Sequence, residues 1–240
     1  RDVGRSTKFE AVGVPNIPET IGKILRGEEF QPPYTLEDMA DDAVGLLDAL
    51  GLQKAHICGM SMGGMIAQAI ALRHPSRVLS LISIYSTTGN RELPQPKPEI
   101  LGILLALLPD KKEAYIEHML TVFKAIAGPR FGVDEAWTRR TMAESFDRSY
   151  YPKGFARQLV AILTQRDRRS ALASLKVPTL VIHGTDDPLV LVEAGKDTAK
   201  SIPGSRLILI EGMGHDLPHG GAWPQIIEAI AEHTLKIHED

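Results

Sequence analysis

Four short apolar runs recur along the chain, at residues 55–59, 78–85, 179–182 and 207–210, each bounded by turn-forming residues. Runs of this length without polar alternation are what strands buried on both faces look like, and such strands belong to parallel sheets sandwiched between helices. The segments between them supply the helices. Thr35 and Asp38 form a capping-box-like start, followed at helical spacing by Leu36, Met39, Ala43, Val44, Leu47 and Leu50, with Gly51 as the stop. Met65, Ile66, Ala69, Ile70 and Leu72 repeat the pattern before Pro75, and further helix signals lie at 191–201 and 224–235. This alternation predicts an α/β fold with a mostly parallel sheet flanked by helices.

Two stretches depart from the pattern. Residues 7–33 carry scattered glycine and proline and read as a long surface loop with a helical turn near 21–25. Between the second and third apolar runs, Pro94, Pro96 and Pro98 open a wholly helical stretch, with helix starts near Glu99, Asp110, Asp134 and Pro152. It reads as an inserted helical cap over residues 91–169, leaving 1–90 and 170–240 as the core. Its aromatics Tyr115, Phe123, Phe131, Trp137, Phe146, Tyr150, Tyr151 and Phe155 suit either a lid over an apolar pocket or simple packing of cap on body, and packing is the commoner role of isolated apolar residues.

Composition narrows the function classes. With 43% hydrophobic residues in 240, the chain has apolar mass for one real core, and a net charge of -3 offers no clustered basic face for nucleic acid. The apolar run at 100–108 falls well short of the roughly 20 residues a membrane helix needs. Cys58 is the single cysteine, so neither an intrachain disulfide framework nor a paired-thiolate zinc site is expected, and a cytoplasmic location fits. The expected partner is a small, uncharged, largely apolar molecule, with no metal and no cofactor. Oligomeric state is not encoded in any pattern of this kind.

Directly after the first apolar run comes Gly59-Met60-Ser61-Met62-Gly63, a G-x-S-x-G pentapeptide between a strand signal and a helix signal. That context lets a serine sit on a sharp turn with its hydroxyl above the sheet, and side chains at the flanking glycines are expected to collide with the neighbouring strand and helix. Gly64 extends the small surface. The amide of Met62, at the helix start, points where an oxyanion would form, and the helix dipole adds to the attraction.

A serine hydroxyl is nearly inert at neutral pH and needs an imidazole base, itself oriented by a carboxylate. The chain offers both in the order acid, then base. His183-Gly184-Thr185-Asp186-Asp187-Pro188 follows the third run and Gly212-Met213-Gly214-His215 follows the fourth, both just past the carboxyl ends of parallel strands. Asp187 is the expected acid because the residue before Pro188 is held extended, with Asp186 as the fallback; a purely local turn role also suits both aspartates. His215 is the expected base, its glycines reading as a flexible loop, while His183 reads as a hydrogen-bonded structural residue. His56, His74, His118, His233 and His238 read as surface or packing residues, and His219 as a pocket-lining one.

These features resemble the α/β-hydrolase family, and within it the aclacinomycin methylesterase-like and related carboxylic-ester hydrolases. The resemblance rests on Arg1 to Ser6, Gly59 to Gly64, Pro75 to Val78, His183 to Pro188, and Gly214-His215. It implies Ser61 as nucleophile, Asp187 as acid and His215 as base. It also implies that Arg1 to Ser6 follows the fourth strand of the family's sheet. On that basis the chain is expected to be part of a longer protein, lacking the first half-sheet and the segment that supplies a second oxyanion amide, and to leave a sheet edge unpaired.

Ester hydrolysis through an acyl-enzyme is the leading expectation. A cofactor-free perhydrolase, suggested by the Ser-Met-Gly-Gly elbow, and a carbon-carbon bond hydrolase remain open within the enzyme class. A hydrolase-like ligand-binding protein with weak turnover is the alternative outside it. A serine at the elbow argues against dehalogenase or epoxide hydrolase chemistry, which the resemblance associates with aspartate.

Overall fold

The computed structural model describes residues 1–218 and 221–237. The helices α1 (Ile17–Leu25) and α2 (Leu36–Ala49) precede strand β1 (Ala55–Met60), and α3 (Met62–Arg73) joins it to β2 (Val78–Ile84). Helices α4 (Pro98–Leu104), α5 (Lys112–Ile126), α6 (Glu135–Ser149), α7 (Pro152–Leu163) and α8 (Arg169–Leu172) then lead to β3 (Thr179–Gly184). The chain closes with α9 (Val192–Ser201), β4 (Arg206–Ile210) and α10 (Trp223–Lys236).

All four strands run parallel in the order β1-β2-β3-β4, with Met60 opposite Ile84, Ile84 opposite Ile182 and Gly184 opposite Ile210. In-register pairing brings every carboxyl end to the same edge of the sheet. Successive side chains on β2 enter different cores, as the two-residue strand period demands. Leu81 packs with Ala40 and Val44 of α2 and with Ala67 and Ile70 of α3, whereas Ile82 packs with Leu180 of β3 and with Ile226 and Ala229 of α10. Among the described residues β1 has a strand on one side only, and a cavity of about 330 Å³ along it is lined by α2, α3 and residues such as Ile57. No helix among these residues is long and apolar enough to cross a membrane.

The long loop expected at 7–33 is corrected in part. It contains a nine-residue helix, α1, where only a turn near 21–25 was expected. Pro18, which reads as a breaker, sits in the first turn, where its missing N–H has no helical partner to lose. Asn16 supplies the cap, its side chain accepting from the Glu19 amide at 3.2 Å. In the insert, Pro98 and Pro152 open their helices in the same way, and Asp134 caps α6 through the Trp137 amide at 2.9 Å.

A buried ion pair ties the amino-terminal loop to α7. Arg157 donates from Nε to Asp2 Oδ2 at 2.8 Å, from Nη2 to Asp2 Oδ1 at 3.2 Å and to the Tyr151 hydroxyl at 2.7 Å, and from Nη1 to the Gly13 carbonyl at 2.8 Å. Asp2 also accepts from the Tyr34 hydroxyl and the Phe9 amide. Burial works against its charge, but these donors outweigh it and hold the carboxyl below its ordinary range. Since both side chains are fully buried, removing one partner strands the other. Arg157→Ala is therefore expected to lower stability by about 3–5 kcal/mol, with a thermal midpoint lower by about 6 °C or more. Asp2→Asn combined with Arg157→Met should recover most of that loss, and an unchanged midpoint in Arg157→Ala contradicts the account.

Candidate active site

Strand β1 ends at Met60 and α3 begins at Met62, so Ser61 alone makes the reversal, at φ 51° and ψ −121°. A non-glycine residue at positive φ costs of order 1–3 kcal/mol and persists only where its surroundings hold it. Here the backbone is gripped on both sides. The Ser61 amide donates to the Ile84 carbonyl at 3.0 Å, and its carbonyl accepts from the Gly64 and Met65 amides and from the Ser86 hydroxyl at 2.8 Å.

The expected crowding at the flanking glycines is real at one of them. A Cβ on residue 59 would lie 2.0 Å from the Gly63 carbonyl oxygen, whereas one on residue 63 meets nothing within 4 Å. The collision expected at Gly63 is thus corrected. The second tight position is Gly64, where a Cβ would fall 2.5 Å from that of Ser86.

The three residues singled out from the sequence come together in one hydrogen-bonded line. His215 Nδ1 is 2.7 Å from Asp187 Oδ2, and His215 Nε2 is 2.9 Å from Ser61 Oγ. Asp187 rather than Asp186 makes this contact, because the turn before Pro188 aims its carboxylate inward and leaves Asp186 exposed with Thr185 and the Gly212 amide. The other oxygen of Asp187 accepts from the Leu189 and Val190 amides at 2.9 and 2.8 Å. Burial opposes its charge, yet the partners His183, His215 and the Val190 amide keep it below the usual carboxylate range. An ionised carboxylate only accepts, so in neutral His215 the hydrogen sits on Nδ1 and the lone pair of Nε2 faces the Ser61 hydroxyl.

The rival His183 is wholly buried, with Nε2 donating to the Val190 carbonyl at 2.7 Å and lying 3.5 Å from Asp187 Oδ2. It braces the loop that carries Asp187, the structural role expected of it. His56 and His74 engage Ser80 and Asp41, away from the line. His219 and His238 lie outside the described residues.

The flexible loop expected around His215 is also corrected. Its amide donates to the Ile126 carbonyl at the end of α5, and the Gly212 carbonyl accepts from the Arg130 amide. A Cβ on residue 214 would lie 2.1 Å from the Gly128 amide nitrogen. The glycines let two backbones touch, and the loop is clamped by the insert.

Two neighbours carried no motif. Tyr85, at φ 35°, packs its ring against His215 in a tilted contact with centroids 4.6 Å apart, and its hydroxyl donates to Met60 Sδ. The available signal was its place at the carboxyl end of a strand. Asp216 follows His215, and burial pushes its carboxyl up to about 6, with His215 opposing and Asp187 adding to the rise. Its Oδ1 is buried without a hydrogen-bond partner among the described residues. Farther off, the insert holds a cavity of about 350 Å³ lined by Tyr115, Phe146, Tyr150, Tyr151 and Phe155, while Phe131 packs on the core beside α10.

Fold and site together define the class: the alpha/beta hydrolase fold family matches residues 18–222, and the chain belongs to it. Among relatives, it is 26% identical over 233 residues to a rhodomycin D methylesterase of Streptomyces sp. (strain C5), covering 89% of this chain and 78% of that protein. It is 33% identical over 180 residues to a 2-hydroxy-6-oxononadienedioate/2-hydroxy-6-oxononatrienedioate hydrolase of Dechloromonas aromatica (strain RCB), covering 71% of this chain and 59% of the relative. The structure of a thermophilic esterase from Thermogutta terrifontis superposes with a TM-score of 0.66 at 25% identity, covering 88% and 76% of the two chains.

The elbow geometry predicts an asymmetry between its glycines. Gly59→Ala is expected to lower the thermal midpoint by about 4 °C or more, since rigid backbone must move. Gly63→Ala, in open space within a helix, is expected to leave the midpoint unchanged or raised. Equal loss in both variants contradicts the crowding described at residue 59.

Proposed function

We propose that the chain is a serine hydrolase that cleaves carboxylic esters through an acyl-enzyme intermediate. The observation that carries this reading is the continuous line from Asp187 through His215 to a serine held on a strained turn, at 2.7 and 2.9 Å. Ser61 Oγ attacks the ester carbonyl carbon while its proton passes to His215 Nε2. Asp187 holds the imidazole in the tautomer that accepts this proton and stabilises the imidazolium that results. The tetrahedral oxyanion faces the Met62 amide, in the first turn of α3, where N–H groups have no helical acceptor and the helix dipole favours negative charge. Collapse expels the alcohol, which takes the proton from Nε2, and water then repeats the sequence on the acyl-serine.

In this reading residues 91–169 act as a cap over the carboxyl edge of the sheet. Carbon-carbon bond hydrolysis is the second reading, favoured by the 33% identity to the 2-hydroxy-6-oxo dienedioate hydrolase.

Ser61→Ala is expected to abolish hydrolysis of p-nitrophenyl esters while leaving the thermal midpoint within about 2 °C. Asp187→Asn should lower kcat by about 10³-fold or more, through the wrong tautomer, whereas Asp186→Asn should cost little. Retention of most activity in Ser61→Ala refutes the assignment, and a larger loss at residue 186 refutes the choice of acid. A series of esters of graded chain length, assayed beside a vinylogous 1,5-diketone, separates the two readings.

A further inference from the structure

Three consecutive residues at the end of β2 touch both halves of the proposed machinery. The Ile84 carbonyl accepts the Ser61 amide, and the Ser86 hydroxyl donates to the Ser61 carbonyl at 2.8 Å. Between them, Tyr85 packs its ring on His215, with centroids 4.6 Å apart and planes tilted by 57°. Its backbone is strained at φ 35°, in the region that β-strand residues avoid, and its amide is held by the Ile182 carbonyl of β3 at 2.8 Å. Strain at a non-glycine residue, over-determined by its surroundings and directed at a candidate base, is the pattern from which a functional constraint is argued.

We infer that Tyr85 is a positioning residue for His215, and that the turn 84–86 sets nucleophile and base from a single piece of backbone. This rests on the reading of Ser61 and His215 as nucleophile and base. The ring does two things. It blocks rotation of the imidazole away from Ser61 Oγ, and its π cloud stabilises the imidazolium that exists only once the proton has left Ser61, so the gain falls on the transition state rather than on substrate binding. The hydroxyl stays neutral and faces Met60 Sδ, so the contribution belongs to the ring.

Other charged or titratable groups surround the same imidazole. Asp187 approaches from the loop after β3 and Asp216 from the loop of His215 itself, while Cys58 on β1 lies near the Tyr85 hydroxyl. Burial holds the Asp216 carboxyl up to about 6, close to where the acid limb falls, so the variants at residue 85 are compared in an Asp216→Asn background, which removes that carboxyl from the profile.

The test compares Tyr85→Phe with Tyr85→Leu on a p-nitrophenyl ester, with kcat normalised by active-site titration. Tyr85→Phe keeps the ring and is expected to hold kcat within about threefold and to leave the acid limb of the kcat/KM profile in place. Tyr85→Leu keeps apolar burial without π electrons. It is expected to lower kcat about tenfold at nearly constant KM and to move the acid limb to lower pH by about half a unit. Loss of stability alone would not move that limb. Where Tyr85→Leu fails to fold, pentafluorophenylalanine at the same position keeps the ring's shape with reversed polarity and should move the limb the same way relative to Tyr85→Phe. A limb that stays fixed in the ring-altered variant, or an equal kcat loss in Tyr85→Phe, overturns the inference. Activity surviving Ser61→Ala would instead overturn the reading beneath it.

Discussion

The hydrogen bond between Asp187 Oδ2 and His215 Nδ1, 2.7 Å long and buried, joins the loops that leave two adjacent strands. It exists because β3 and β4 run parallel and in register, so both loops emerge at the same edge at matching height. Ser61 reaches the same place from β1, two strands away in the sheet order. Parallel topology thus does more than bury apolar surface: it brings Ser61 to side chains more than a hundred residues further along the chain, in one line whose imidazole tautomer is set by the buried carboxylate.

Holding that line requires strain, and the strain sits beside it. Ser61 and Tyr85 both occupy positive φ. Each is held by hydrogen bonds to its neighbours and by the close packing of glycine against backbone or side chain, at Gly59 against Gly63 and at Gly64 against Ser86. The insert contributes as well, since the Ile126 carbonyl and Gly128 clamp the backbone of the His215 loop. The buried pair of Asp2 and Arg157 fixes α7 of the insert to the amino-terminal loop.

The sheet was legible because strands buried on both faces are continuous apolar runs, and the ends of β1 to β4 fall within two residues of expectation. Helix α1 was obscured because Pro18 reads as a breaker until its position in the first turn is known. The candidate site was legible where residue type and strand end coincide, as at Ser61, Asp187 and His215, which the structure brings within hydrogen-bonding distance of one another. Tertiary approach was not legible. The glycines around His215 read as flexible but serve backbone contact with Gly128, the space at Gly63 is empty, and the tilted ring contact of Tyr85 with His215 depends on a turn that no local pattern announces.

The most direct measurement is the rate at which a fluorophosphonate modifies the protein, with the adduct located by peptide mass spectrometry. The account predicts an adduct on Ser61, formed on the order of a thousandfold more slowly in His215→Ala. An adduct on another residue, no adduct, or a rate indifferent to His215→Ala would contradict the claim that these side chains act as one activated line.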